Sequence, residues 1–252
     1  MSVIDDNERR ILKRGKAKLV SFLVPSRKRF GNLLSTCNSI AETATDPSRV
    51  EIVVRFDFDD VDSISRIPEL PFDKVDIYVI VGERVRGYID LNKYINECCD
   101  ISRGDMLFLF NDDTTMAESG WDNILAEYRN DVVVLNPSTG NDEATKRINT
   151  FPIITKKMYD TIGHWALQAH NDTWVSEVGA MLGIEKVEDR IVIFHDRPDN
   201  PNYTGSMDTE EVNRETWNER TEMFKVSRPE FDQPKYRNLR HEDAVKLKGI
   251  IL

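Results

Sequence analysis

Apolar residues along this chain fall into two patterns, short near-continuous runs and positions recurring every three or four residues, and the two alternate. Lys18–Val24 (KLVSFLV) has the length and composition of a buried strand, stopped by Pro25 and the polar stretch Ser26-Arg27-Lys28-Arg29. From Phe30 the period changes: Phe30, Leu33, Leu34, Cys37, Ile40, Ala41 and Ala44 share one helical face, closed by Pro47. Val50–Phe56, Val75–Val81 and Met106–Phe110 predict three further strands. A helix over Tyr88–Asp100, packing through Ile89, Leu91, Tyr94, Ile95 and Cys98, precedes the last of them. Val132–Leu135 reads as a fifth strand and Phe151–Ile154 as a short extended piece. Thr155 is placed to cap a helix through Met158, Tyr159 and Ile162 that stops at Gly163. Asn171 or Asp172 is placed to cap another, with Trp174, Val175, Val178, Met181 and Leu182 facing inward. Ile191–Phe194 is the last strand and ends in His195.

Strands alternating with helices predict an α/β fold with an open, mostly parallel sheet flanked by helices. Ligands in such sheets bind beyond the carboxyl ends of the strands. Four polar clusters collect there: Ser26–Arg29, Asp57–Asp60, Arg84–Gly87 and Asn111–Asp113. The polar segment 137–149 is expected to be a mobile loop near that edge. Residues 5–17 read as a charged arm or helix. Beyond residue 202 the composition shifts: 209–225 is charged, with Val212, Trp217 and Phe224 interspersed, and 242–252 predicts a short closing helix. The expected division is a 1–17 arm, an 18–202 domain and a small helical extension over 203–252.

Composition narrows the function classes. With 252 residues, 40% hydrophobic, the chain can bury one sizeable core. No segment has the length of a membrane span, and the start lacks an apolar leader. Cys37, Cys98 and Cys99 form no CxxC pair, a reducing-compartment pattern that predicts a cytoplasmic protein. The net charge of −10 hides an asymmetry: residues 1–30 hold nine basic and three acidic residues. The overall acidity argues against gripping long nucleic acid as the main activity, while the basic head leaves room for an anionic partner. Its other reading is a solvated, solubilising face.

The sharpest chemical signal is MLFLF running into Asn111-Asp112-Asp113-Thr114. Adjacent carboxylates at the end of a greasy strand repel each other and resist burial, and a cation relieves both effects. Mg²⁺ or Mn²⁺ takes such oxygen ligands together with substrate phosphates. The pair therefore reads as a metal–diphosphate site, the competing reading being a solvated loop that begins with turn-forming Asp.

In order and spacing the features resemble the GT-A (Rossmann-like) fold of nucleotide-sugar glycosyltransferases, the family-2-like group in particular. The resemblance rests on VPSR after strand one, EIVVRFDFDD at strand two, Tyr94-Ile95-Asn96-Glu97 before Gly104-Asp105, and FLFNDDTT followed by Gly120-Trp121-Asp122. Asn171-Asp172-x-Trp174 and His195 complete it, so that it spans about residues 18–199. It implies that Asp113 and His195 bind a divalent metal, Mn²⁺ or Mg²⁺, a Lewis acid for the departing nucleoside diphosphate. Asp112 would assist at the ribose or the same ion. It places Pro25, Ser26, Arg27 and Trp174 in the donor pocket, Asp57 (or Asp59) on the pyrimidine base, and Arg84 or Arg86 on the diphosphate. Asp172 matches the catalytic base of an inverting transfer, with Glu177 one turn on as its substitute. Trp165, Trp174 and Tyr159 would offer the acceptor a stacking surface, although a core role is the favoured reading for Trp174.

The implied activity is transfer of one sugar from a nucleotide donor, UDP-linked, to an acceptor hydroxyl of a glycan or other small acceptor, or of modified bases in DNA as in some phage enzymes. The chain departs from the family in reading Asn-Asp-Asp for Asp-x-Asp and in lacking a QxxRW-type motif, which favours single transfer over polymerisation. Two alternatives stand beside it. A nucleotidyltransferase also uses carboxylate-bound Mg²⁺, but usually has a glycine-rich loop after strand one, and here no glycine precedes Gly31. The other is a non-catalytic sugar-nucleotide-binding protein.

Overall fold

The computed structural model describes residues 17–139, 149–196 and 210–251. Its strands are β1 (Lys18–Ser26), β2 (Val50–Asp57), β3 (Asp76–Gly82), β4 (Gly104–Leu109), β5 (Thr114–Met116), β6 (Val134–Ser138), β7 (Ile153–Thr155) and β8 (Glu185–His195). They form one sheet in the order β3-β2-β1-β4-β7-β6-β8-β5. The first four run parallel, β7 lies antiparallel between β4 and β6, β6 and β8 are parallel, and β5 closes the edge antiparallel to β8. The expected mixed, mostly parallel α/β sheet is what the chain forms.

Helices cover both faces. On one, α1 (Phe30–Thr43) packs Leu33, Cys37 and Ile40 onto Phe22, Phe108 and Phe110. After the short α2 (Val61–Ser65), α3 (Leu91–Ile101) packs Ile95 and Cys98 onto Leu23 and Leu107 of the other face. Burial on both sides explains why β1 and β2 read as continuous runs rather than alternating ones. Phe22 anchors the first core, stacked on Phe108 at 5.0 Å and edge-on to Trp121 at 5.2 Å.

Several short or weakly patterned elements escape the sequence. The three-residue β5 and α4 (Trp121–Ala126) are too brief to show a period. α5 (Lys156–Ile162) follows Thr155, which stands at the cap position but makes no side-chain cap bond. α6 (Asn171–Leu182) starts one residue early: His170 is at its cap, so neither Asn171 nor Asp172 caps it. Met181 faces outward rather than inward, 42% exposed. The C-terminal extension is longer than expected, with α7 (Glu210–Phe231) and α8 (Pro234–Ile251) in place of one short helix. Each buries a single narrow stripe that includes polar residues, Met223, Ser227 and Phe231 on α7 and Arg240, Asp243, Ala244 and Leu247 on α8, so the apolar period is faint. Phe231, Ala244 and Leu247 nonetheless belong to the second core, with Trp174 and Met158. The arm at 1–16 and most of the 137–149 segment lie outside the described residues. No helix among the described residues is long and apolar enough to cross a membrane.

This topology creates one place for a ligand. From β1 the chain crosses to β2 through α1 on one face; from β3 it returns to β4, on the far side of β1, through α3 on the other. The carboxyl ends of β1 and β4 therefore form a topological switch point, where the outgoing loops diverge and leave a crevice. Pro25, with no N–H to offer, extends β1 past its last β4 partner and pairs only toward Arg55 of β2. At the opposite edge the strands are pinned. Glu51 of β2, with none of its side chain exposed, accepts from the Ser21 hydroxyl at 2.5 Å and from Arg103 through its backbone N–H (2.6 Å) and Nε (2.9 Å). Gly104 starts β4 so close to β1 that a Cβ there would lie 2.5 Å from the Ser21 nitrogen. Glu51→Ala would leave the buried Arg103 guanidinium with only the half-exposed Asp76, 3.5 Å away, as its anion. Chemical denaturation should show a loss of about 3–5 kcal/mol, whereas an ordinary surface ion pair would cost under about 1 kcal/mol.

Candidate active site

The acidic pair lies in the turn between β4 and β5, closed by the Thr114 N–H on the Asn111 carbonyl at 3.3 Å. The Thr36 hydroxyl of α1 sits 2.9 Å and 2.8 Å from the carbonyl oxygens of Asp112 and Thr114, which fixes the turn against the first core. Both carboxylates face the loop after β1. Ser26 donates to Asp112 Oδ2 at 2.7 Å, and Arg29 Nη1 lies 3.0 Å from Asp112 Oδ1 and 3.1 Å from Asp113 Oδ2. His195, ending β8, brings Nε2 within 3.2 Å of Asp113 Oδ1. Burial alone would raise the Asp113 carboxyl, but His195 and Arg29 outweigh it and hold that group below the usual carboxylate range. Ser26, Asp112, Asp113 and His195, separate in the sequence, thus meet in the switch-point crevice.

Two carboxylates and an imidazole are donor types a hard divalent ion accepts, but their arrangement does not fit one. Each of the four carboxylate oxygens already faces a side chain of this protein, two of them the same guanidinium nitrogen. Among the described residues no three acidic, histidine or cysteine side chains are disposed around a common ion position. Arg29 stands between the two acids at which Mn²⁺ or Mg²⁺ was expected, and its guanidinium balances their charge in this arrangement.

Toward the β2 and β3 ends the charges are also paired. Asp57 is buried, clamped by Arg55 on one oxygen and by Arg27 at 3.3 Å on the other. Arg55, itself buried, also reaches Glu97 at 3.1 Å and lies over the Tyr94 ring at 3.9 Å. Arg27 extends as a fork to the more exposed Asp59 at 2.5 and 3.1 Å. Arg84 turns to α7, where Glu215 accepts at 3.1 Å and Glu219 closer still. Glu215 also takes Lys28 at 2.7 Å; Lys28 and then Arg84 hold its carboxyl below the ordinary range. Gly87, at a φ of 54°, leaves the space into which the Glu219 carboxyl fits. Arg86 is mostly exposed and pairs with Asp90. α7 thus carries two acids, one turn apart, onto the basic loops after β1 and β3.

Asp172 lies in the first turn of α6, where its Oδ1 accepts the Thr173 N–H at 2.8 Å. Burial raises its pKa from the ordinary carboxylate value, opposed by the Thr173 bonds and by Arg220 of α7. Tyr88 was missed as a site residue because it reads as the first apolar position of a helix. Its phenol is pushed up to about 12 by burial and by the Asp113 charge, with Asp112 adding to the effect and Arg29 and Arg220 opposing it. The Tyr88 phenol therefore stays neutral, and Arg220 acts on both Tyr88 and Asp172. Three expectations are corrected here. Trp174 is fully buried and donates to Asp243 of α8 at 3.0 Å, a core role rather than a donor contact. Trp165 and Tyr159 are also buried, so none of the three presents a stacking face. Glu177 turns away from Asp172 to pair with Arg240 at 2.7 Å.

No protein-family model matches the sequence, and no curated protein is significantly similar to it. Its three-dimensional likeness is to glycosyltransferases of the GT-A type, and the chain has that fold. Staphylococcus aureus TarS 1–349 in complex with UDP superposes with a TM-score of 0.56 at 15% identity, covering 69% of this chain and 59% of that one. The same protein with UDP-GlcNAc gives 0.59 at 13% identity over 89% and 79% of the two chains. The Pyrobaculum calidifontis mannosyltransferase PcManGT, solved with GDP-Man and Mn²⁺, gives 0.58 at 11% identity over 94% and 75%.

The ion pairs between α7 and the basic loops give a direct check on this arrangement. Converting Glu215 and Glu219 together to glutamine should speed amide hydrogen exchange in the first half of α7 by roughly five- to tenfold, as expected for losing partly exposed pairs. Exchange in β1 and β4 should stay unchanged.

Proposed function

We propose that this protein transfers a single sugar from a nucleotide-diphosphate sugar, UDP-linked, to an acceptor hydroxyl with inversion. The observation that carries this reading is the meeting of the β1 loop, the acidic pair and His195 in the switch-point crevice of a GT-A sheet, the fold of neighbours that hold UDP, UDP-GlcNAc and GDP-Man. In this reading residues 18–202 carry the catalytic unit and 203–252 a helical extension that supplies Arg220. Asp57 and Asp59 are the carboxylates nearest a base-binding role, and Pro25, Ser26 and Arg27 form the wall beside the diphosphate. The carboxylate of Asp172 takes the proton of the acceptor hydroxyl as its oxygen forms a bond to the anomeric carbon. The bond from that carbon to the diphosphate oxygen breaks on the opposite side, and the nucleoside diphosphate departs with the electron pair. Tyr88, held neutral, and Arg220, whose charge reaches both Tyr88 and Asp172, are assigned to the departing charge. A divalent ion of the kind found with GDP-Man in PcManGT would have to displace Arg29 to reach the acidic pair.

Thermal denaturation with UDP, GDP and their sugar conjugates tests the donor class. A ligand at 100 times its Kd stabilises by about 2.7 kcal/mol, which moves Tm by several degrees in a chain of this size. UDP or UDP-sugars should give that shift, and ATP or CTP without a sugar should not; the reverse ranking would support nucleotidyl transfer instead.

Asp172→Asn should lower kcat about 10²- to 10⁴-fold without lowering stability at neutral pH. The sign follows from the raised pKa. The fold disfavours ionised Asp172, so its cost is present above the folded pKa and vanishes below the unfolded one, near 3.9. The wild-type protein should therefore gain stability relative to the Asn variant as pH falls. The acid limb of its kcat profile should lie above the ordinary carboxylate value.

A further inference from the structure

We infer that Arg29 is the resident counter-cation of Asp112 and Asp113, so that a nucleoside diphosphate binds this crevice without a divalent ion. The inference rests on the sugar-nucleotide reading for its ligand, but its evidence is the construction of the β1 loop. Two adjacent carboxylates this buried need a positive partner. One guanidinium nitrogen supplies it, bridging an oxygen of each acid at 3.0 and 3.1 Å. Ser26 donates to a third oxygen at 2.7 Å, and His195 Nε2 lies 3.2 Å from the fourth, Asp113 Oδ1.

The loop is shaped to deliver this contact. Lys28 adopts a φ of 57°, the one positive-φ residue other than glycine among the described residues, in a region that a side chain with a Cβ seldom enters. Such a conformation persists where its surroundings over-determine it. Here Asp60 accepts the Lys28 N–H at 2.6 Å, Arg27 is held by Asp57 and Asp59, and the Leu33 N–H bonds the Arg29 carbonyl at 3.0 Å as α1 begins. With its neighbours fixed on both sides, Arg29 is aimed at the acidic pair, its side chain only 13% exposed. A guanidinium keeps its charge at every working pH and, unlike an ion, cannot dissociate.

The test compares wild type, Arg29→Met and Arg29→Lys by calorimetric titration and thermal denaturation, with MnCl₂ alone and with UDP in either EDTA or MnCl₂. Wild type should show no Tm response to Mn²⁺ alone and the same UDP affinity in both buffers. Arg29→Met should be less stable in EDTA and recover with Mn²⁺, its UDP affinity rising roughly tenfold or more when the ion is present. Arg29→Lys, keeping the charge, should behave as wild type, and it carries the comparison if the Met variant does not fold in EDTA. Mn²⁺ stabilising the wild type by itself, wild-type UDP affinity collapsing in EDTA, or a folded Arg29→Met indifferent to Mn²⁺ would each overturn the inference. Should wild type bind no nucleotide in either buffer, the sugar-nucleotide reading fails, while the nucleotide-free Mn²⁺ titrations still decide what Arg29 does.

Discussion

Two negative charges side by side at the end of a buried strand are the constraint around which this molecule is built. Asp112 and Asp113 follow a buried apolar run, and their charge is met from within the chain. Ser26 ends β1 and Arg29 comes from the loop after it, His195 from the end of β8, and Thr36 of α1 holds the turn by its carbonyl oxygens. Satisfying the pair therefore ties three elements to one point, and the strand order that parts α1 from α3 leaves a crevice there. The site is the electrostatic solution to an otherwise costly strand end.

Charge balance extends outward from that point. Arg55 and Arg27 share Asp57, Arg27 continues to Asp59, and Arg84 and Lys28 meet the acids of α7. The C-terminal helices are thus attached twice, by Phe231, Ala244 and Leu247 in the second core and by Glu215 and Glu219 at the site's edge. An anionic ligand entering the basic loops meets residues already held by carboxylates. The same helix brings Arg220 to the side where Asp172 and Tyr88 lie, so the extension contributes charge of both signs to the crevice.

Much of what made the sequence resemble a known family turns out to be architecture. Asn96 accepts the Trp165 N–H at 2.6 Å and donates to the Ala166 carbonyl, fastening α3 to the segment before α6. Asp122 is fully buried and receives the N–H groups of Thr45 and Asp46, closing the turn between α1 and β2. Gly104 permits the close approach of β4 to β1. These residues hold the strand ends in register, which is why their order along the chain marks the fold more reliably than any of them marks a reaction.

From the sequence alone came the strands other than β5, the α/β class, the edge at which polar loops gather, and the prominence of Asp112 and Asp113. Those features are local: apolar period, turn residues and adjacent like charges are visible within a few positions. Only the tertiary structure brought Arg29 between the two acids, turned Arg84 to α7, and faced Trp174 and Glu177 away from the crevice. It also added Tyr88, Arg55 and Arg220. Each of these depends on which distant side chain stands opposite. Partners 83 residues apart, as Arg29 and Asp112 are, leave no trace in local pattern, because the chain's fold and not its spacing sets their distance.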